Sequence, residues 1–105
     1  MNSIHITGRL CADPEIRRSQ SSTTYCRLQV AVNRRFANKQ TGEREADFIS
    51  CIAWGHTADF IGKYFFKGNW IEISGELRNN NYTDQNGVKH YAMVVWVSDA
   101  GFVGN

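Results

Sequence analysis

The sequence predicts an all-β domain: a five-stranded barrel with one short helix between its third and fourth strands. Three observations carry this. Apolar and polar residues alternate with period two in most of the regular segments. One segment alone has the apolar spacing of an amphipathic helix. Turn-forming clusters separate the segments, at Asp13-Pro14, at 38–43 (NKQTGE) and at 84–87 (DQNG). With 105 residues, the chain reads as a single domain over 1–105.

The first strand alternates Ile4, Ile6 and Leu10 with His5, Thr7 and Arg9, and Gly8 marks a bend or bulge within it. Residues 17–24 (RRSQSSTT) are polar and without period, so they read as loop or a weakly formed edge. In the next strand Cys26, Leu28, Val30 and Val32 face one way, and Tyr25, Arg27, Gln29 and Ala31 the other. After the turn at 38–43 the chain returns as a strand over 47–54, with both faces largely apolar. Residues 57–67 (TADFIGKYFFK) form the expected helix, with Ala58, Ile61 and Phe65 as its buried stripe. Thr57 is placed to cap its start and Gly68 to end it, while Gly62 costs about 1 kcal/mol against Ala in the middle. Ile71, Ile73, Gly75 and Leu77 then alternate with Trp70, Glu72, Ser74 and Glu76, and this strand runs on through Arg78 toward Tyr82. The hairpin turn at Asn86-Gly87 leads to a final strand over 90–97.

Five strands with a lone helix after the third match the partly open Greek-key barrel called the OB-fold. A parallel βαβ arrangement needs helices after most strands, and a β-sandwich needs about seven strands. Catalysis finds little support. His5, His56 and His90 lie far apart, and the nucleophile-elbow, zinc-protease and phosphate-loop spacings are missing. Cys11, Cys26 and Cys51 lack metal-ligand spacing and read as free thiols in a reducing compartment. No cofactor or metal is expected. No secretion signal or membrane-spanning run is recognised, so a cytoplasmic protein is expected.

The net charge is only +2, yet it is unevenly spread. Residues 1–44 hold eight basic and three acidic side chains, a net of +5; residues 45–105 hold four and seven, a net of −3. The basic half contains Arg34 and Arg35, beside Phe36. Phe48 and Trp54 share a face of the 47–54 strand, opposite Ile49, Cys51 and Ala53. If the small residues fill the barrel, the aromatics point outward, where they suit stacking on bases with guanidinium groups on phosphates. The opposite assignment makes Phe48 and Trp54 the core and turns the small residues to a partner subunit. Tyr82, Lys89 and Arg78 extend the aromatic and basic character onto a long hairpin, where Tyr82 could equally be a packing cap. Trp70 and Trp96 suit either a subunit interface or a ligand.

The chain resembles the DNA-binding domain of the bacterial-type single-stranded DNA-binding proteins. The stretches that carry the resemblance are NSIHITGRLCADPEIR, LQVAVNRRF, TGEREADFISCIAWG and ADFIGKYFFKGNWIEISGELRNNNYTDQNGVKHY, in that order, within residues 2–103. It implies sequence-independent binding and protection of single-stranded DNA in replication, repair and recombination, by a homotetramer, with a dimer as the competing assembly. It places base-stacking residues at Phe36, Phe48, Trp54 and Tyr82, with Arg34 and Arg35 as phosphate partners. Arg78, Lys89, Lys63 and Lys67 are weaker candidates, the last two on or near the helix. Replication or repair proteins are the implied protein partners. The alternative within the same fold is a primosome accessory or other protein-interaction module. The sequence departs from the family in two respects. It stops at Asn105 without the acidic-tipped tail of many members, and AMVVWVSD carries Trp96 and lacks the acidic residue usual in the last strand.

Overall fold

Alternation becomes a barrel because each strand has one apolar face to hide. The computed structural model describes residues 1–104. Its strands are β1 (Ile4–Leu10), β2 (Glu15–Arg18), β3 (Thr24–Asn33), β4 (Ala46–Trp54), β5 (Trp70–Asn79), β6 (Tyr82–Thr83), β7 (Lys89–His90) and β8 (Met93–Gly101), with α1 (Gly55–Tyr64) between β4 and β5. The main sheet runs β1-β5-β8-β4-β3-β2, and a further β1–β3 pairing closes it. The five barrel strands are therefore β1, β3, β4, β5 and β8, with the helix between the third and fourth, as the sequence predicts. β4 and β8 run parallel through Cys51↔Val95 and Ile52↔Trp96, and the other neighbours are antiparallel.

β1 serves two neighbours. It pairs with β5 from Ile4↔Gly75 to Arg9↔Trp70, and with β3 at Arg9↔Ala31 and Leu10↔Val30. The corner falls at Gly8, where a side chain would collide with the backbone carbonyl of Ala31. The interior is filled by Leu10, Cys26, Val30, Cys51, Ala53, Ile71, Ile73 and Val95, and α1 plugs one end with Ala58 and Ile61. Burial pushes the Cys26 thiol up to about 11, with Glu15 adding to the shift, and burial alone pushes Cys51 to about 12. Both thiols are thus inert core groups.

Three boundaries differ from expectation. The helix spans Gly55–Tyr64 rather than 57–67, and its N-cap is Trp54, with no side-chain cap from Thr57 or any other residue. Gly55, at φ +60°, makes the sharp exit from β4 that allows this early start. Phe65 is already extended (φ −118°, ψ 139°), yet its N–H still bonds the Ile61 carbonyl at 3.1 Å, which keeps the ring buried under the helix. Gly68 does not end the helix; at φ +87° it turns the chain back so that its N–H bonds the Leu10 carbonyl at 2.8 Å.

The 17–24 segment is partly strand. Residues Glu15–Arg18 pair with β3 as an edge whose four residues are all exposed, a pattern that leaves no period to read. Ile16 from this edge lies over Gly62, and a side chain at Gly62 would run into it. The glycine that weakens the helix in isolation is what lets the edge strand pack on it.

The expected 90–97 strand is really two elements. β7 pairs with β6 in a separate two-stranded arm, and β8 starts again at Met93. The break is held by the Asn80 N–H on the Ala92 carbonyl (2.8 Å) and the Ala92 N–H on the Asn81 side chain (3.1 Å).

Candidate nucleic-acid interface

The outer face of β3, β4 and β8 is built by the same alternation that fills the core. Cys51 and Ala53 point inward, so Phe48, Ser50, Ile52 and Trp54 point outward. On β8, Val95 and Val97 face the core, which leaves Val94 and Trp96 on the other side. These faces line a groove of about 560 Å³ whose walls include Arg27, Gln29, Ser50, Ile52, Trp54 and Trp96.

Trp54 does not stand free on this surface. It is half-buried between Tyr25 (ring centroids 5.1 Å apart) and Trp96 (5.8 Å). Its indole Nε1 is buried and has no hydrogen-bond partner. Arg78 lies over the other member of this ladder, with its guanidinium carbon 3.9 Å from the Trp96 centroid, and it is paired with Glu76.

The other expected aromatics are far more open. Phe48 is 64% exposed, Phe36 79% and Tyr82 57%. Phe36 sits on the loop after β3, with Arg35 at 5.7 Å from its ring. Tyr82 stacks on His90 across the small arm, at 4.7 Å and 12° between planes. His90 Nε2 in turn meets Asp84 at 2.8 Å, and Asp84 also accepts the backbone N–H groups of Asn86 and Val88. These contacts, the His90 hydrogen bond first, hold the Asp84 carboxyl below its usual value. Lys89 is exposed on the same arm.

Arg34 is engaged within the protein. Its Nε and Nη2 donate to the two carboxylate oxygens of Asp47 (3.2 and 3.0 Å), and its Nη1 donates to Glu45 (2.8 Å). The hydrogen bond from Arg34 lowers the Asp47 carboxyl. Two carboxylates around one guanidinium leave no surplus positive charge, so Arg34 clamps the base of the 34–45 loop. Lys63 and Lys67 are not brought to the groove wall. Lys63 lies 5.3 Å over Tyr64, whose ring belongs to a cluster with Phe60 and Phe102. Lys67 follows the helix, and its backbone N–H donates to Asp13 at 2.8 Å.

The model of the single-strand binding protein family matches residues 1–103. The chain belongs to that family. It is 38% identical over 103 residues to a single-stranded DNA-binding protein of Bacillus cereus, covering 98% of this chain and 60% of that one. It is 45% identical over 94 residues to single-stranded DNA-binding protein 1 of Streptococcus pyogenes, covering 90% and 70%. Single-stranded DNA-binding protein A of Bacillus subtilis is 35% identical over 103 residues, at 98% and 59%. The chain thus spans about three fifths of the length of several of its curated relatives.

One exposed aromatic escaped the sequence reading, and a second, Trp96, was left there between a subunit interface and a ligand. Tyr91, 79% exposed, lies at the end of the small arm, where an apparently continuous strand hid it. Trp96 had a visible signal, its alternation with Val95 and Val97, yet only the tertiary fold puts it beside Trp54. Among the described residues no helix is long and apolar enough to cross a membrane, and no group of three or more His, Cys, Asp or Glu could hold a metal ion.

Proposed function

We propose that this domain binds single-stranded DNA without sequence preference, by stacking bases on aromatic rings, and protects it during replication, repair and recombination. The observation that carries this is the exposure of Phe36, Phe48 and Tyr82 to solvent on a domain whose groove is lined by Trp54 and Trp96. A soluble domain gains nothing for its own stability by exposing three such rings, whereas every base offers them a π-face. In OB-folds that bind single strands as a class, one such stack is worth roughly 1–3 kcal/mol. Arg35, free of carboxylates and next to Phe36, is the main phosphate partner. Lys89 and Arg78 assist, and Lys63 and Lys67 contribute only to the general field. Arg34 shapes the loop that presents Phe36 and reaches phosphate only by giving up a carboxylate. No catalytic step is involved.

We also infer a cytoplasmic homotetramer, with a dimer as the competing assembly and replication or repair proteins as partners. The family resemblance supports the number four; sedimentation equilibrium across concentrations distinguishes four chains from two.

The deciding experiment is a titration with labelled oligo-dT and with a duplex of equal length at several salt concentrations. Tight binding of the single strand, falling steeply with salt, is expected. Arg35→Ala should flatten the log–log salt slope by about 0.7, the loss of one single-strand phosphate contact. Equal affinity for duplex, or none for oligo-dT, would remove this reading. The protein-interaction alternative would then gain from one feature. Tyr64, Phe66 and Phe102 are about half-exposed near the end of the helix, away from the groove.

A further inference from the structure

We propose that Trp96 is a further base-stacking residue of this domain and that the Arg78 guanidinium is its displaceable cover. This deepens the single-strand-binding reading and rests on it.

The side of β8 on which Trp96 lies is settled by its neighbours. Val95 is fully buried in the barrel, while Val94 and Trp96 line the groove. On the adjacent strand Arg78 is the register partner of Val94, and Glu76 that of Trp96, so both side chains belong to the groove side as well. Trp96 is only half-buried and sits 5.8 Å from Trp54, tilted by 37°. Together with Tyr25 the two indoles make a continuous aromatic floor across β3, β4 and β8. A floor of this kind receives a base at either indole, not at Trp54 alone.

What now covers Trp96 is a cation. The guanidinium carbon of Arg78 stands 3.9 Å from the ring centroid, at stacking distance. Its Nε is held by Glu76 Oε1 at 2.6 Å, and both side chains are about half-exposed. An exposed ion pair of this type is weakly held, and a solvent-facing cation–π contact is weaker than base stacking. A nucleobase can therefore take the place of the guanidinium, which then lies beside the adjoining phosphate, its natural bidentate partner. The same ladder holds the one buried side-chain donor without a partner among the described residues, Trp54 Nε1. A base carbonyl or phosphate oxygen entering between the tilted rings would supply its acceptor.

The test uses the full chain labelled with 5-fluorotryptophan, whose three tryptophans are assigned through single Trp→Phe variants. Fluorine NMR is followed during an oligo-dT titration, and anisotropy of labelled oligo-dT is read on the same samples. The Trp96 resonance should move with the same saturation curve as the anisotropy. Trp96→Ala should weaken binding by about tenfold, and Trp96→Phe should recover most of the loss because the ring is restored. A stationary Trp96 resonance while anisotropy reports binding would overturn the proposal and leave the single-strand reading standing. So would a Trp96→Ala variant that binds as well as the parent. Loss shared equally by the Phe and Ala variants would mark Trp96 as a packing residue only. No anisotropy change with the unaltered protein would remove the single-strand reading, and this inference with it.

Discussion

The barrel and the two arms that leave it are held together by different forces. Inside the barrel Phe65, Ile61, Ile71, Ile73 and Val95 are essentially inaccessible, and among the described residues no polar or charged one is buried with them. The arms, 34–45 and 80–92, bury almost nothing. The first is closed by backbone bonds between Arg34 and Glu45 and between Asn38 and Glu43, with the Arg34 clamp across its base. The second is closed by the Asp84 turn and the Tyr82–His90 stack. Apolar burial is indifferent to pH and rigidly specifies the fold. Exposed polar contacts are weak singly and open at small cost. The exposed rings are thus divided between the two regions: Phe36 and Tyr82 stand on the arms, while Phe48, Trp54 and Trp96 belong to barrel strands.

The contrast is broken most severely from the barrel side. Phe65 is stacked on Phe102 at 4.8 Å and buried beneath the helix. Phe65→Ala should cost about 3–5 kcal/mol of stability, and each kcal/mol is roughly 4–8 °C of melting temperature in a domain of this size. A fall of only a few degrees in thermal melting would show that the barrel does not depend on this plug.

Trp54 lies on the barrel, packed against Tyr25 and Trp96, and also lines the groove, so Trp54→Ala should lower both affinity and stability. Single-strand affinity should drop by roughly 1–3 kcal/mol, and the melting temperature should drop too, because Tyr25 and Trp96 lose the ring between them. Unchanged affinity with a large melting shift would assign the residue to packing alone.

Phe36→Ala gives the sharpest separation, since the ring is almost free of the fold. Affinity should fall by roughly 1–3 kcal/mol with no measurable change in melting. A substantial melting shift would mean that the first arm is braced against the barrel after all.

The smallest effect is acid loosening of the arms. Asp84 and Asp47 both titrate below their ordinary values in the folded protein, through His90 and Arg34 respectively. A depressed carboxyl contributes stability that is present above its unfolded value and lost as pH falls through the folded one. Hydrogen exchange of the arm amides should therefore accelerate below about pH 4, near the unperturbed Asp value, while the barrel amides stay protected. Parallel acceleration in both regions would show that the arms and barrel open as one unit.

The regularities that repeat along the chain were legible without coordinates. Period-two alternation marks β1, β3 and β5, because a strand buried on one face must alternate, whereas β4 is apolar on both faces and only the structure puts Cys51 and Ala53 inside. Elements held by nothing periodic were not legible. β2 is exposed at every position, and the split between β7 and β8 depends on two asparagines bonding the Ala92 backbone. The helix start was misplaced because Thr57 looks like a cap, whereas a left-handed Gly55 bends the chain sooner.

The sequence by itself determined the fold class, the buried face of the strands that alternate cleanly, and the clustering of aromatics and arginines in the 34–54 stretch, while leaving open which face of β4 turns inward. These follow from local periodicity and residue chemistry, which each segment carries alone. Only the tertiary structure decided which groups meet across strands. Trp96 comes beside Trp54 because β8 returns parallel to β4 from more than forty positions along the chain, with Ile52 opposite Trp96. Arg34 faces Asp47 and Glu45 and is thereby neutralised, while Arg35, one residue on, lies instead beside the Phe36 ring. Such partnerships depend on how strands are ordered and registered around the barrel, and that order arises from packing the whole core at once.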